Sequence, residues 1–136
     1  MNHSPALLVG RILASAIFII SGYGKATAMA GTIAYLTNHD VWRPDLAYYV
    51  AVAVELGGGI LFLLGFQTRQ LALILALWCV ATALLGHLPF TIPGNPIQFQ
   101  KNICMAGGFL AFVAAGGGAF SLDHLLFRNR RTRAVA

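Results

Sequence analysis

The chain has 136 residues, of which 58% are hydrophobic and only 10% charged, where a soluble domain carries about a quarter charged residues. So little polar side chain cannot cover a water-facing surface. The positive mean hydropathy agrees, and the sequence reads as one integral membrane domain over residues 1–136. The formal net charge of +5 does not indicate nucleic acid: four of the nine basic residues close the chain (Arg128, Arg130, Arg131, Arg133), and the others stand singly between apolar runs.

Four apolar segments, each about long enough to cross the hydrocarbon core, predict an all-α bundle of four transmembrane helices. Span one is Ala6 to Gly24, broken by Arg11; span two is Leu46 to Phe66, broken near its middle by Glu55. Span three is Leu71 to Leu88, with a start that extends into FQTR, and span four is Asn102 to Phe120. Between the first two, Met29, Ile33 and Leu36 recur at helical spacing and predict a short interfacial helix. Trp42, Tyr48 and Tyr49 suit an interfacial aromatic belt. The short connection QTRQ makes spans two and three an antiparallel hairpin, and PFTIPGNPIQFQK, with three prolines, reads as an ordered loop.

Basic residues set the orientation. With both termini cytoplasmic, Arg11, Arg69 and the four terminal arginines lie inward, against Lys25, Arg43 and Lys101 outward. The tail from residue 121 is expected to form a short interfacial helix, capped by Ser121 or Asp123. A rival reading takes Ala28 to Ala30 as a cleavage site after a secretory signal, but Arg11 interrupts the apolar run and no basic residue precedes it. Cys79 and Cys104 lie at different depths and read as small buried packers.

The intramembrane polar residues carry the functional question. Glu55 lies as deep as a residue can, where a charge must be protonated, paired or turned to a cavity. Arg11 is its nearest expected countercharge. The pair is either a device fixing helix register or a proton-accepting carboxylate beside a ligand, and residue chemistry weighs the two equally. A second group, Lys25, His87, Gln98, Lys101 and Asn102, converges at the outer end from three spans, where it would hold carbonyl or phenol oxygens. Snorkelling lysines and an interfacial histidine are the plainer alternative. No second histidine or carboxylate stands at ligand spacing from His87, so no metal is expected.

The segments RILASAIFIISGYGKATAMAGTIAYL, VELGGGILFLLGFQTRQLAL, GHLPF and FQKNICMAGGFLAFVAAGGGAFSLD, in this order and spacing, resemble the DoxX family of small bacterial inner-membrane proteins. The resemblance implies a four-helix bundle and a link to oxidant, thiol, sulfur or quinone metabolism. It also implies a quinone pocket rather than a covalently bound cofactor, and a soluble oxidoreductase or sulfur-transfer partner. The family's polar positions fall on Arg11, Lys25, Glu55, Thr68-Arg69, His87, Lys101-Asn102 and Ser121 to Asp123. Many relatives have Gly-Pro-Gly where this chain has Gly116 to Gly118, which predicts a less sharp end to span four. A non-catalytic scaffold for a partner and a small-solute carrier are the readings that compete with a redox-linked subunit, and a homo-oligomer would favour the carrier.

Overall fold

A computed structural model describes residues 4–88 and 90–126. Among these residues every regular element is helical: α1 (Ser4–Thr27), α2 (Met29–Asn38), α3 (Pro44–Leu64), α4 (Thr68–Gly86) and α5 (Asn95–Ala115), followed by a helical turn at 122–126. Three of them, α1, α3 and α4, are long and apolar enough to cross a membrane. Pro44 starts α3 at a position where its fixed φ suits a helix and no amide hydrogen is needed.

The fourth predicted span is displaced. α5 begins at Asn95, inside the segment read as a loop, and ends at Ala115, before the glycines. The start follows from Pro96, which here lies in the first helical turn and nucleates rather than breaks, with Gly94 at φ 89° turning the chain into it. The end is sharp. Gly116 leaves the helix at φ 75° and its amide bonds back to the Phe112 carbonyl, so no proline is required to stop it.

The core lies where α1, α3, α4 and α5 meet. Phe109 packs edge-on against both Phe18 and Phe62, with ring centroids 5.3 and 5.1 Å apart, and Ala72, Leu75, Ala76, Cys79 and Ala106 close around them. Tyr48 is buried rather than part of an aromatic belt, while Trp42 and Tyr49 are exposed. Cys79 is buried but Cys104 faces outward from α5, so only the first is a core packer.

Within α3, Ala53–Gly58 forms a π-helical turn. The buried positions Tyr48, Ala51, Glu55, Gly58, Gly59 and Phe62 continue one face through it. Such turns carry an extra residue and cluster at functional sites. Here the turn coincides with Glu55 and with the closest approach of α1 to α3. A Cβ on Gly22 would collide with the Leu56 backbone, including its Cα at 2.8 Å. Backbones in lipid come this close only through small residues. Gly22→Ala is therefore expected to lower stability by about 2 kcal/mol, as overpacking does. Gly24→Ala, which meets nothing within 4 Å, is the matched control; thermal unfolding in detergent compares the two.

Candidate functional site

Polar residues gather at both ends of the bundle, but not in the two groups expected: Arg11 stands at one end, apart from Glu55, which joins Lys25 and the outer group at the other. At the first end, Arg11 is completely buried and donates from Nη1 to the Leu63 carbonyl at 3.0 Å and from Nη2 to the Phe120 carbonyl. The turn from α3 to α4 wraps around it. Gly65 adopts φ 72° there, and a Cβ at that position would strike the Arg11 Nη1 atom. Asp123 accepts hydrogen bonds from the Gln67 and Thr68 amides at 2.6 and 2.8 Å, so its carboxylate caps the N-terminus of α4, while its own amide donates to the Gly65 carbonyl at 2.9 Å. Ser121 accepts from the His124 amide and so caps the final helical turn. Arg69 reaches the Val113 carbonyl at 3.0 Å. This end is a closed knot tying α1, the α3–α4 turn, the end of α5 and the segment around Ser121 to Asp123 into one unit.

Arg11 is therefore not the partner of Glu55. Its guanidinium lies at the level of Leu63, about 12 Å along α3 from Glu55 by the helical rise. The reason is side-chain direction. Helical side chains lean toward the N-terminus of their own helix, which carries Arg11 away from Glu55. The same lean carries Lys25, near the other end of α1, back into the bundle rather than outward to an interface. Lys25 Nζ donates to Glu55 Oε2 at 2.6 Å and to Ser21 Oγ at 2.7 Å. The other carboxylate oxygen, Oε1, accepts from the indole Nε1 of Trp78 at 3.1 Å. Trp78 was not marked by the sequence, although a tryptophan in mid-span has an N–H that must find an acceptor.

This group of three forms the floor of a partly open cavity of about 590 Å³. That volume is within the usual range for small-molecule sites. Apolar side chains of α1, α3, α4 and α5, among them Phe18, Val50 and Met105, form its walls. Every residue of the expected outer polar group lines it: Lys25, His87, Gln98, Lys101 and Asn102. Thr82 Oγ1 donates to Asn102 Oδ1 at 3.3 Å and Asn102 Nδ2 donates to the Gln98 main-chain carbonyl at 3.1 Å, which fixes the Asn102 amide at the cavity wall. The predicted helix α2 closes another side through Thr32, Tyr35, Leu36 and His39, with Tyr35 Oη donating to the Gly86 carbonyl at 3.3 Å. Neither its role as a wall nor the part of His39 was foreseen, because nothing in a local pattern says where a short connecting helix folds back.

A search of protein-family models matches residues 6–88 to DoxX. The chain belongs to the DoxX family. Among curated proteins, this DoxX chain is 41% identical over 120 residues to the inner membrane protein YqjF of Escherichia coli (strain K12), covering 88% of the chain and 91% of that protein. It is 39% identical over 122 residues to the inner membrane protein YphA of the same organism, covering 86% and 87%. A more distant relative, 28% identical over 138 residues and covering 100% of the chain and 99% of that protein, is CatD of Bacillus subtilis (strain 168), whose name provisionally terms it an oxidoreductase. No solved structure matches the chain. The family match covers Arg11, Lys25, Glu55, Trp78 and His87 but stops before α5, which carries Gln98, Lys101 and Asn102.

In the DoxX cavity His87 follows the last residue of α4 and is held below the ordinary histidine range. Burial is the main cause, opposed by a hydrogen bond with the Gly86 backbone and reinforced by the electrostatic influence of the neighbouring His39 and Lys101. The imidazole is thus neutral at pH 7, able to donate from one ring nitrogen and accept at the other. In a detergent NMR titration His87 is expected to have its midpoint below 6.5, the unperturbed value, and Lys101→Gln is expected to move that midpoint upward.

Proposed function

We propose that the chain is a redox-linked membrane subunit that binds a quinone or a closely similar small aromatic in this cavity. The observation that carries the reading is the floor: a carboxylate, an ammonium and an indole N–H bonded together beneath apolar walls. A lysine ammonium has three N–H groups, and Ser21 and Glu55 take two, which leaves one for a ligand oxygen. The flat body of a quinone suits the apolar walls, and its far oxygen would face His87, Gln98 and Asn102. Lys25 Nζ, which donates to Glu55 Oε2 at 2.6 Å, would supply the proton to an oxygen that gains electrons.

The chain carries no flavin, haem or iron–sulfur motif, so electrons would come from a soluble oxidoreductase or sulfur-transfer partner. The oxidoreductase term in the name of the Bacillus relative supports this direction. We place the protein in the bacterial inner membrane, as the Escherichia coli relatives are named, with four spans and both termini cytoplasmic. α5 is the fourth: its 21 residues reach about 30 Å at the helical rise, and its polar first half turns Gln98, Lys101 and Asn102 to the cavity rather than to lipid. α2 would then lie at the outer interface over the cavity mouth.

The test is direct. Trp42 and Trp78 both line the cavity, so menadione, a neutral methyl-naphthoquinone, should quench tryptophan fluorescence of the purified protein saturably. Quinone should also be found in lipid extracts of the protein prepared from membranes. Non-saturable quenching together with quinone-free extracts would remove the reading and favour a scaffold that only anchors its partner.

A further inference from the structure

We propose that the cavity selects its ligand as an anion: a flat quinone ring bearing an ionised hydroxyl, with the anionic oxygen toward Lys101 and the two histidines. The inference rests on the quinone reading above and adds the charge state of the ligand and the residue that reads it. Its basis is the charge lining the cavity. Two lysines, Lys25 and Lys101, line it against one carboxylate, Glu55, with His39 and His87 beside them as ring N–H donors. That carboxylate is fully committed, with Oε2 to Lys25 and Oε1 to Trp78. The floor is therefore a neutral pair, and among the described residues Lys25–Glu55 is the one ion pair. The other described carboxylates do not answer Lys101: Asp123 caps α4 in the knot at the far end, and Asp40 and Asp45 are exposed and outside the lining.

Lys101 thus presents a cation to a largely apolar cavity with no protein countercharge, and it is close enough to His87 to affect its titration. Lys101 is itself exposed, so the gain arises when a seated ligand excludes water from the apolar cavity: an anionic ligand then meets a cation that has no protein countercharge, and a neutral ligand gains nothing from it. Size alone does not distinguish the two, since one hydroxyl hardly changes the volume of a naphthoquinone. Charge does. The two ends of the cavity then take different ligand oxygens: the Lys25 ammonium at the floor donates to a neutral carbonyl, and Lys101 at the mouth, near His87 and His39, takes the anionic oxygen.

The experiment compares two ligands of one ring system on the full chain in an uncharged detergent: menadione, which is neutral, and lawsone, the hydroxy-naphthoquinone that is an anion at neutral pH. Lawsone is expected to bind about tenfold more tightly, equivalent to about 1.4 kcal/mol, and the preference should shrink as salt is raised. In Lys101→Gln the ratio of the two affinities should fall to about one. Equal affinities in the unmodified chain, or a preference that persists in Lys101→Gln, would overturn the charge selection and leave the quinone site standing. Failure of both ligands to bind a folded protein would instead overturn the quinone reading on which it rests. A lipid headgroup is the other source of an anion for Lys101. If phosphatidylglycerol displaces lawsone but not menadione, the cation belongs to the bilayer and the proposal fails.

Discussion

Arg11→Gln should be the most destabilising polar substitution in the chain, and adding Glu55→Gln should not repair it. The guanidinium supplies charged hydrogen bonds to the Leu63 and Phe120 carbonyls from a position with no exposure at all. Glutamine is too short to serve both, and the cavity it leaves lies where a turn with Gly65 at φ 72° was built around the larger group. Loss of about 3 kcal/mol or more is expected from abandoned buried acceptors and lost packing. Were Arg11 the countercharge of Glu55, the double variant would be more stable than Arg11→Gln alone, because neither charge would be left unpaired. With the two groups at different levels and without shared partners, the effects should instead add. Unfolding of the two single variants and the double variant in detergent decides it, and recovery in the double variant would put Arg11 back beside Glu55. In this reading Arg11 is a structural residue, and the proton-accepting role weighed for its pairing with Glu55 would fall to Glu55 with Lys25.

Glu55→Gln is expected to separate stability from binding. The amide keeps an acceptor for the Trp78 indole but leaves the Lys25 ammonium, whose side chain is 29% exposed, without its carboxylate. Partial access to solvent moderates the cost to about 1–3 kcal/mol, below that of breaking a fully buried pair. Lys25→Met in the same chain should recover most of that loss, since the floor then carries no charge. Menadione affinity should fall by about tenfold or more in Glu55→Gln and should stay low in the double variant, which lacks both the ammonium donor and the carboxylate that positions it. A double variant that binds menadione as the unmodified chain does would reduce the pair to a packing device. Fluorescence titration and thermal unfolding on the same preparations separate these outcomes.

The residue types that matter were visible along the chain because lipid makes polarity expensive. A carboxylate and an arginine inside apolar segments, and a cluster of amides, lysines and a histidine at or beside the ends of such segments, stand out against a background that tolerates almost none. Arg11, Lys25, Glu55, His87, Gln98, Lys101 and Asn102 were all singled out on that ground, and all but Arg11 line one cavity. Three long apolar helices and the short helix α2 were legible from length and periodicity, since these are properties of consecutive residues. The start of α5 was not, because a proline in the first turn of a helix and a proline in a loop look alike until the next turn forms.

Partner choice was beyond the sequence. Position along the spans made Arg11 the nearest expected countercharge of Glu55, yet the lean of helical side chains toward their own N-termini sends Arg11 into the Leu63–Phe120 knot and Lys25 down to Glu55. The contact that makes the second pairing possible, Gly22 against the backbone of Leu56 within a π-helical turn, depends on how two distant segments cross. The chemistry available to this DoxX chain was thus set by composition, as the few polar groups that a membrane segment will carry. Which of them became scaffold and which became site was decided only when the helices packed, because a burial cost is a property of one residue and a pairing is a property of two.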